Sequence, residues 1–562
     1  MQVKPARDRR PLLIAAVFAL LFVSGLGAWP SVRTQLCPSI MVASSNEKYG
    51  LMTSLAKEFS SAHPGPWSGC GPAVNVERVA SGDAERHLAE GWTGEGQPDV
   101  WSPAASTWVD LLRYHVEVNQ RPPGLLPAGQ PLRIARSPLV IAMPEPMAKA
   151  MSWPAVQPGW KELLQLAVDP KGWGRFGNPD WGAFRLGKTD PRKSTSGLHS
   201  LIAAYYAATG KSSNLTEVDL LDPATQQFVA GVESSVSHYA PTVGSFLDNL
   251  AAADKLSNAA ALSYISALAV EEQEVYNYNI GGHSESIPQI PPRVLLSAIY
   301  PNGETLEADH PYVLLRMSDA KVKIATAFVQ WLQDGAQQDR FCSAGFRNYR
   351  GVACDSLARN PGIVSGQPTR LLQQPEPRFI DAIQASWQTI RKSARILILL
   401  GPADKSQRTE VRTAVGELSK SDEVAVWTLE RGRESPTLGL SSLGVGRSAI
   451  LDAIESAPVA SGKVPLYLNL QEAYRFLKAN SDPKRINAIV VIAANRDDGS
   501  GPGLLDLEHE VRTESAGTPI RIYTVALAGS DLNALVGIEK ASGGASSSGD
   551  PAAAIRSSLA NF

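Results

Sequence analysis

The sequence predicts an α/β protein of two successive units, each a largely parallel sheet covered by helices, behind an apolar N-terminal segment. Three observations carry that prediction. Short apolar runs alternate with helical patterns from Ile40 to about Asp334, a Pro-, Gly- and Gln-rich stretch follows at 361–377, and the alternation resumes from Ile396 to Ala526. A chain of 562 residues is also too long for one core. The formal net charge is −2 with no basic tract beyond the N-terminus, so nothing in the balance points to nucleic acid.

The N-terminus carries Lys4, Arg7, Arg9 and Arg10, and Pro11 to Trp29 follows without a charge. That run is long enough to span a bilayer, and its basic flank places the start in the cytoplasm. The expectation is a basic segment over 1–10, a single-pass anchor over 11–29 and the bulk of the chain outside the cytoplasm. A cleaved signal peptide is the alternative, since Gly25 to Ala28 offers small residues for cleavage. Either route delivers the chain to an oxidising compartment, where four cysteines pair. Cys37 and Cys70 each precede a strand, and the starts of parallel neighbours adjoin, which pairs these two and leaves Cys342 with Cys354. Spacing alone permits three connectivities. No cysteine–histidine cluster has zinc spacing.

In chain order, the pattern predicts a strand over Ile40–Ala43, a helix from about Glu47 to Ser61, a strand over Ala73–Val79, a helix over Asp83–Gly91 and a strand over Asp99–Trp101. A long apolar strand, Ser137–Pro144, leads into a region with Trp153, Trp160, Trp173 and Trp181, read as packing residues because aromatics usually bury area. A strand over Tyr264–Val270 precedes the polar and aromatic stretch Glu271–Asn279, read as a cleft wall or a solvated turn. A strand over Val294–Tyr300 and a helix over Ser318–Asp334 complete the first unit. The second has strands at Ile396–Leu400, Val424–Thr428, Ala488–Ile492 and Arg521–Ala526, with helices over Thr409–Leu418 and Leu468–Asn480. A loop at Ser542–Gly549 precedes a last short helix.

Gly187 to Gly197, ending in Ser194-Thr-Ser-Gly197 before an apolar helical run, is the most informative motif. Small hydroxyl residues and a glycine at a helix start leave backbone N–H groups free to meet an anion or a polar ligand. An ordinary N-cap is the competing reading. Ser44 and Ser45 follow the first strand and Ser102 the third, where a pocket at the carboxyl edge of a parallel sheet forms.

With these segments, the first unit resembles a type II periplasmic solute-binding protein of the group that includes molybdate and sulfate binders. Val42–Asn46, Pro98–Pro103, Ser137–Met143, Lys188–Pro191 with Ser194–Gly197, and Phe341–Arg347 carry the resemblance. It implies two α/β lobes over 38–360, the second at about 140–290, holding a small polar solute or oxyanion between them. The implied ligand residues are Ser44, Ser45, Ser102, Ser194, Thr195, Ser196 and Gly197, with Tyr276 from the stretch read as a cleft wall. Trp101, Pro103 and Lys193 depart from a compact oxyanion site, so the ligand class stays open.

The second unit, 378–562 after the 361–377 linker, resembles a von Willebrand factor A domain, a doubly wound α/β module that binds Mg²⁺ through Asp-x-Ser-x-Ser. Those three positions fall here on Gly401, Ala403 and Lys405. Gly446-Arg-Ser448 fits the threonine loop, and Ala493-Ala-Asn495 stands where Thr-Asp-Gly is expected. Asp404 and Ser406, helped by Asp497 or Asp498, are the one realignment that restores oxygen ligands. Otherwise no cofactor is implied, and Lys405 and Arg447 are expected to fill the charge of the lost cation. The whole order resembles bacterial membrane-anchored fusions of these two modules, whose A-type domain meets a protein partner.

No Gly-x-Ser-x-Gly elbow, Walker loop or His-Glu-x-x-His occurs, so catalysis is the least supported class. The expectation is a binding protein that captures or senses a solute. The alternative is a ligand-free interaction or assembly module at the cell surface.

Overall fold

The computed structural model describes residues 39–562 except 64–71, 93–95, 122–125, 127–129, 241, 283–289, 365, 402, 430–437, 458–461, 495, 515–519, 545, 548–550 and 560–561. The expected anchor, Cys37, Cys70 and Asn495 lie outside the described residues. Among those described, no helix is long and apolar enough to cross a membrane.

The first lobe begins with β1 (Ser39–Ser44) and α1 (Tyr49–Ala62). Met52, Leu55, Ala56 and Phe59 recur at helical spacing on α1 and form its buried stripe. The chain continues through β2 (Ala73–Arg78), α2 (Ser81–Glu90), β3 (Val100–Ser102), α3 (Ser106–Val118) and β4 (Leu132–Arg133). It then crosses into β5 (Ser137–Pro144), where every residue is buried, as an apolar run in a covered sheet requires.

The second lobe comprises β6 (Leu186–Thr189), α4 (Thr195–Thr209), α5 (Pro223–Ser234), β7 (Val236–Ala240), α6 (Val243–Leu256), β8 (Ala267–Glu271), α7 (Glu272–Asn279), β9 (Leu296–Ile299), β10 (Glu304–Thr305) and β11 (Glu307–Ala308). Trp153, Trp160 and Trp173 are core, and Trp181 packs edge-on against Trp173. The strand expected from Tyr264 starts later, because Ser257 caps a helix that runs through Tyr264. Past Glu271, which ends β8, the stretch to Asn279 is helix rather than turn.

A return through Asp309 and His310 leads to β12 (Pro311–Leu314), α8 (Asp319–Leu332) and α9 (Gly335–Ser343). Here Cys342 is disulfide-bonded to Cys354, with the Cα atoms 6.0 Å apart. The first sheet runs β2-β1-β3-β12-β4 and the second β11-β5-β8-β6-β7, with β9 also on β5. A third crossing passes Arg347, whose backbone pairs with that of Arg136.

The 361–377 stretch contains β13 (Arg370–Leu371), which pairs in parallel with β10 and ties this segment to the second lobe. Next come α10 (Pro377–Ile390), β14 (Ala394–Leu400), α11 (Lys405–Gly416), β15 (Glu423–Thr428), β16 (Leu438–Ser442), α12 (Leu443–Glu455), α13 (Leu466–Ala479), β17 (Ile486–Ala493), α14 (Leu504–Glu514), β18 (Ile520–Ala526), α15 (Leu532–Ser542), β19 (Ser546–Ser547) and α16 (Pro551–Leu559). Sheet order is β16-β15-β14-β17-β18-β19, parallel except for β15 with β16. On β14, Ile396 and Ile398 join one core and Leu397 and Leu399 the other, so helices cover both faces. Helix α11 starts four residues before the expected Thr409, because Asp404 and Gln407 form a capping box across its first turn.

Candidate functional site

Parallel β1 and β3 end side by side, which sets Ser44, Ser45 and Ser102 at one sheet edge. Ser45 donates its N–H to the Ser102 carbonyl at 3.1 Å. Ser44 and Ser102 are fully buried and spend their hydroxyls on backbone carbonyls, those of Ser45 at 3.2 Å and Pro311 at 2.9 Å. Facing them, β6 ends at Thr189 and the turn through Lys193 starts α4. Ser194 occupies the N-cap position, with its hydroxyl 3.2 Å from that of Ser196. Gly197 lets α4 rise against the strand end, since a Cβ there would meet the Thr189 carbonyl oxygen at 2.4 Å.

The two lobes touch. Gly82 of α2 donates its N–H to the Lys193 carbonyl at 3.0 Å, and a Cβ at Gly82 would lie 1.9 Å from the Arg192 carbonyl oxygen. Trp108 of α3 donates its indole N–H to Thr195 Oγ1 at 2.8 Å. Between Ser45 and the start of α4 lies a cavity of about 40 Å³, lined by Ser45 and Glu47 from the first lobe and by Lys193, Ser194, Thr195, Ser196, Glu271 and Glu274 from the second. That is room for a few water-sized groups. Four sequence-derived candidates, Ser45, Ser194, Thr195 and Ser196, therefore share one cavity. Ser44, Ser102 and Gly197 support its walls from behind. Tyr276 lies apart from it, packed against Gly345, where a Cβ would come within 2.7 Å of the ring.

Beneath the cavity lies a buried polar cluster that joins the lobes at their hinge. The Lys48 ammonium, fully buried, donates to Ser45 Oγ, to the Pro103 carbonyl at 3.0 Å and to Glu47 at 3.3 Å, and lies 3.4 Å from His310 Nδ1. His310 reaches Glu271 of the second lobe through Nε2 at 3.1 Å and stacks edge-on over Phe346. Its φ of +37° is a left-handed conformation unusual for a side-chain-bearing residue, held by backbone bonds to Ala104 and Ile134. Asp309 beside it accepts from Ser106 N–H and hydroxyl, each at 2.7 Å, and from Arg133 at 2.8 Å.

Burial sets the protonation pattern of this cluster. It pushes the Glu271 and Glu274 carboxyls well above the carboxylate range, and the neighbouring Glu47 charge adds to that. For Glu47 itself burial acts upward too, but the Lys48 ammonium and the Ser45 hydroxyl outweigh it and hold the carboxyl low. Desolvation, with Lys48 alongside, drops His310 to about 3, and desolvation drops His199 to about 4, so both rings are neutral at pH 7. The cleft floor thus holds one ion pair, a neutral imidazole and two carboxyls that burial holds well above the carboxylate range.

Donor atoms of Glu47, Glu271 and His310 lie within 4.8 Å of one another, the spacing of a three-ligand metal set. Lys48 stands among them, so a tethered ammonium already meets this negative charge. From sequence the Glu271–Asn279 stretch is read only as a cleft wall or a solvated turn, and Glu271 and Glu274 do line the cavity, whereas Glu47, Lys48 and His310 are not singled out. The signals available were Lys48 three residues past Ser45, and the acidic run Glu271–Glu274 directly after an apolar strand.

At the corresponding edge of the C-terminal sheet, Gly401 and Ala403 follow β14, and Asp404 caps α11. Lys405 is exposed. Arg447 corrects the expectation that it stands beside the cation position: it donates to the Gly416 and Leu418 carbonyls, at the far end of α11 from Lys405. Gly446–Ser448 lie inside α12 rather than in a loop before it. Asp497 and Asp498 accept backbone N–H groups within their own turn, and Asp497 also accepts that of Tyr467.

Residues 40–347 match the family described as bacterial extracellular solute-binding protein. Among solved structures, similar chains include a periplasmic thiamin binding protein (12% identity, 63% of this chain and 96% of that one, TM-score 0.42). Others are the Azotobacter vinelandii periplasmic molybdate-binding protein (16%, 55% and 98%, TM-score 0.31) and a ferric binding protein from Campylobacter jejuni (11%, 62% and 98%, TM-score 0.41). No curated protein matches the sequence. The matched span takes in both lobes and all the residues that line the cavity, and by it this chain belongs to the bacterial extracellular solute-binding protein family.

Proposed function

We propose that the chain is a membrane-anchored extracytoplasmic binding protein that captures or senses a small polar ligand between its lobes. The observation that carries this reading is the cavity walled by both lobes, with Ser45 and Glu47 on one side and the α4 N-terminus on the other. The α4 N–H groups and the Lys193 ammonium suit an acceptor on the ligand, while Glu271 and Glu274 suit a donor or a positively charged group. Closure would follow from the difference in ligand affinity between open and closed lobes. The charge pattern of residues 4–29 supports the anchor, and the family's extracellular description agrees with that side of the membrane.

The C-terminal domain we read as an A-type module without its cation, serving a protein partner. A six-stranded sheet with a single antiparallel edge strand supports this, as does the absence of oxygen side chains at Gly401, Ala403 and Lys405.

Calorimetric titration of the purified full-length chain with amino acids, amines, oxyanions and sugars tests the ligand reading. Saturable binding that Ser196→Ala and Glu274→Gln weaken is the expected result. A second reading, a ligand-free docking module, is favoured by the small cavity and by Thr195 already bonding Trp108. Absence of any heat with every class, together with a stable protein partner, would select it.

A further inference from the structure

Helix α10 lies across both lobes, and it holds them by different chemistry. Toward the second lobe its contact centres on a buried tryptophan. Trp387 is buried, donates its indole N–H to Glu233 at 3.1 Å and stands edge-on to Tyr239 at 5.2 Å. Glu233 is itself buried, ion-paired to Lys188 and bonded to the Tyr239 hydroxyl at 2.5 Å. Ser386 meets the Tyr205 hydroxyl at 2.9 Å, and Gln384 donates to the Pro191 carbonyl at 2.8 Å. The strand pairing of β13 with β10 adds a backbone tie to the same lobe.

Toward the first lobe α10 packs against α3, and the polar pairs at that contact are partly open to water. Asp381 of α10 meets His115 of α3 at 3.2 Å, with the Asp381 side chain 45% exposed and His115 25%. Gln374, just before α10, donates to Asp110 at 2.9 Å and accepts from the Thr107 hydroxyl at 2.9 Å. Thr107 in turn lies 3.0 Å from His199 Nε2 on α4. Because His199 is neutral, its Nε2–H can donate to Thr107 while Thr107 donates to Gln374. This single hydroxyl therefore joins the first lobe, the second lobe and the C-terminal segment, on the same helix whose Trp108 bonds Thr195 at the cavity.

We propose that the C-terminal domain reports whether the cleft is open or closed, riding with the second lobe through Trp387 and Glu233 and gripping the first lobe through Gln374 and Asp381 only when the lobes are closed. Parting the Trp387 contact would strand the Lys188–Glu233 pair and the Trp387 indole, whereas the half-exposed His115–Asp381 pair on the α3 side passes readily to water. Opening therefore breaks the first-lobe grip. By reciprocity, a partner that pulls the C-terminal domain off α3 loosens closure, and closure strengthens the grip. The proposal rests on the two-lobed binding reading above but not on the identity of any ligand.

The test places pairs of spin labels at exposed positions of the full-length chain: Val118 on the first lobe, Val218 on the second and Val445 on the C-terminal domain. Gly82→Val serves as a wedge, since even a Cβ there collides with the Arg192 backbone. The wedge is expected to lengthen the 118–218 and 118–445 distances and to leave 218–445 unchanged. Gln374→Ala with Asp381→Ala, which leaves the cleft untouched, is expected to broaden 118–218 and 118–445 together and again spare 218–445. A 118–445 distance that stays fixed while 118–218 lengthens overturns the proposal, as does a change in 218–445. If neither variant changes 118–218, the lobes form one rigid body and the proposal also falls. A calorimetric screen without binding, beside label distances that move as expected, removes the ligand reading and leaves this coupling standing.

Discussion

The two sheet edges of this protein are built alike and furnished differently. In the cleft, parallel strands end at Ser44 and Thr189, helices start with free N–H groups, and the edge gathers Glu47, Lys48, Glu271 and His310 into a buried network. In the C-terminal domain, β14 ends the same way, yet Gly401 and Ala403 bring no side-chain oxygen and Lys405 stands in solvent. Parallel-sheet topology supplies the edge and the helix dipoles, and the side chains alone decide whether chemistry collects there.

Charge removal sharpens this contrast most. Lys48→Met leaves Glu47 buried without its cation and is expected to cost about 3–5 kcal/mol of stability, whereas Lys405→Met at the other edge stays within about 0.5 kcal/mol. Chemical denaturation of the two variants makes the comparison, and equal losses would break it. Gly197→Ala is next. Its Cβ meets backbone that has little room to retreat, and a loss of about 1–3 kcal/mol is expected in the same assay.

The pH dependence separates the hinge from the α10 contact. His310 and His199 are buried neutral with folded pKa values of about 3 and 4, below the unfolded value, so their contribution is complete above pH 6.5 and is lost as pH falls toward those values. His115 has the opposite sign. Its bonds to Asp381 and Glu85 raise it to about 9, so its stabilisation is complete below pH 6.5 and is lost as pH rises through 9. Melting temperature against pH should fall on both sides, with His310→Gln flattening the acid limb and His115→Gln the alkaline one. A shared effect of both variants on one limb would contradict the assignment. The smallest expected effect is that of Mg²⁺, which should leave melting unchanged, and a saturable rise would mean that Asp404 and Ser406 hold a cation after all.

Much of the architecture was legible because hydrophobic period and strand-end chemistry are local signals. The apolar run Ser137–Met143 marked a fully covered strand, and Ser194–Gly197 marked a helix start that does line the cavity. The hinge network was not legible, since Lys48, Glu271 and His310 are far apart in sequence and meet only when the crossing strands bring the lobes together. Nor did sequence distinguish a serine facing the cleft from one spent on structure. Ser45 and Ser102 look alike in their strand-end contexts, but Ser45 lines the cavity with its hydroxyl bonded to Glu47 and Lys48, while the hydroxyl of Ser102 is consumed behind it by Pro311. Arg447 misled for a related reason: its motif sits one turn into α12, which carries the guanidinium to the opposite end of α11.

The claim that the lobes form a ligand cleft is tested most directly by thermal unfolding of the full-length protein against amines, amino acids, oxyanions and sugars, with Glu274→Gln in parallel. The account predicts that one class raises the melting temperature progressively with concentration, by the equivalent of about 2.7 kcal/mol at a hundredfold excess over Kd, and that Glu274→Gln reduces the effect. No stabilisation by any class, or one that Glu274→Gln and Ser196→Ala both leave intact, would contradict it.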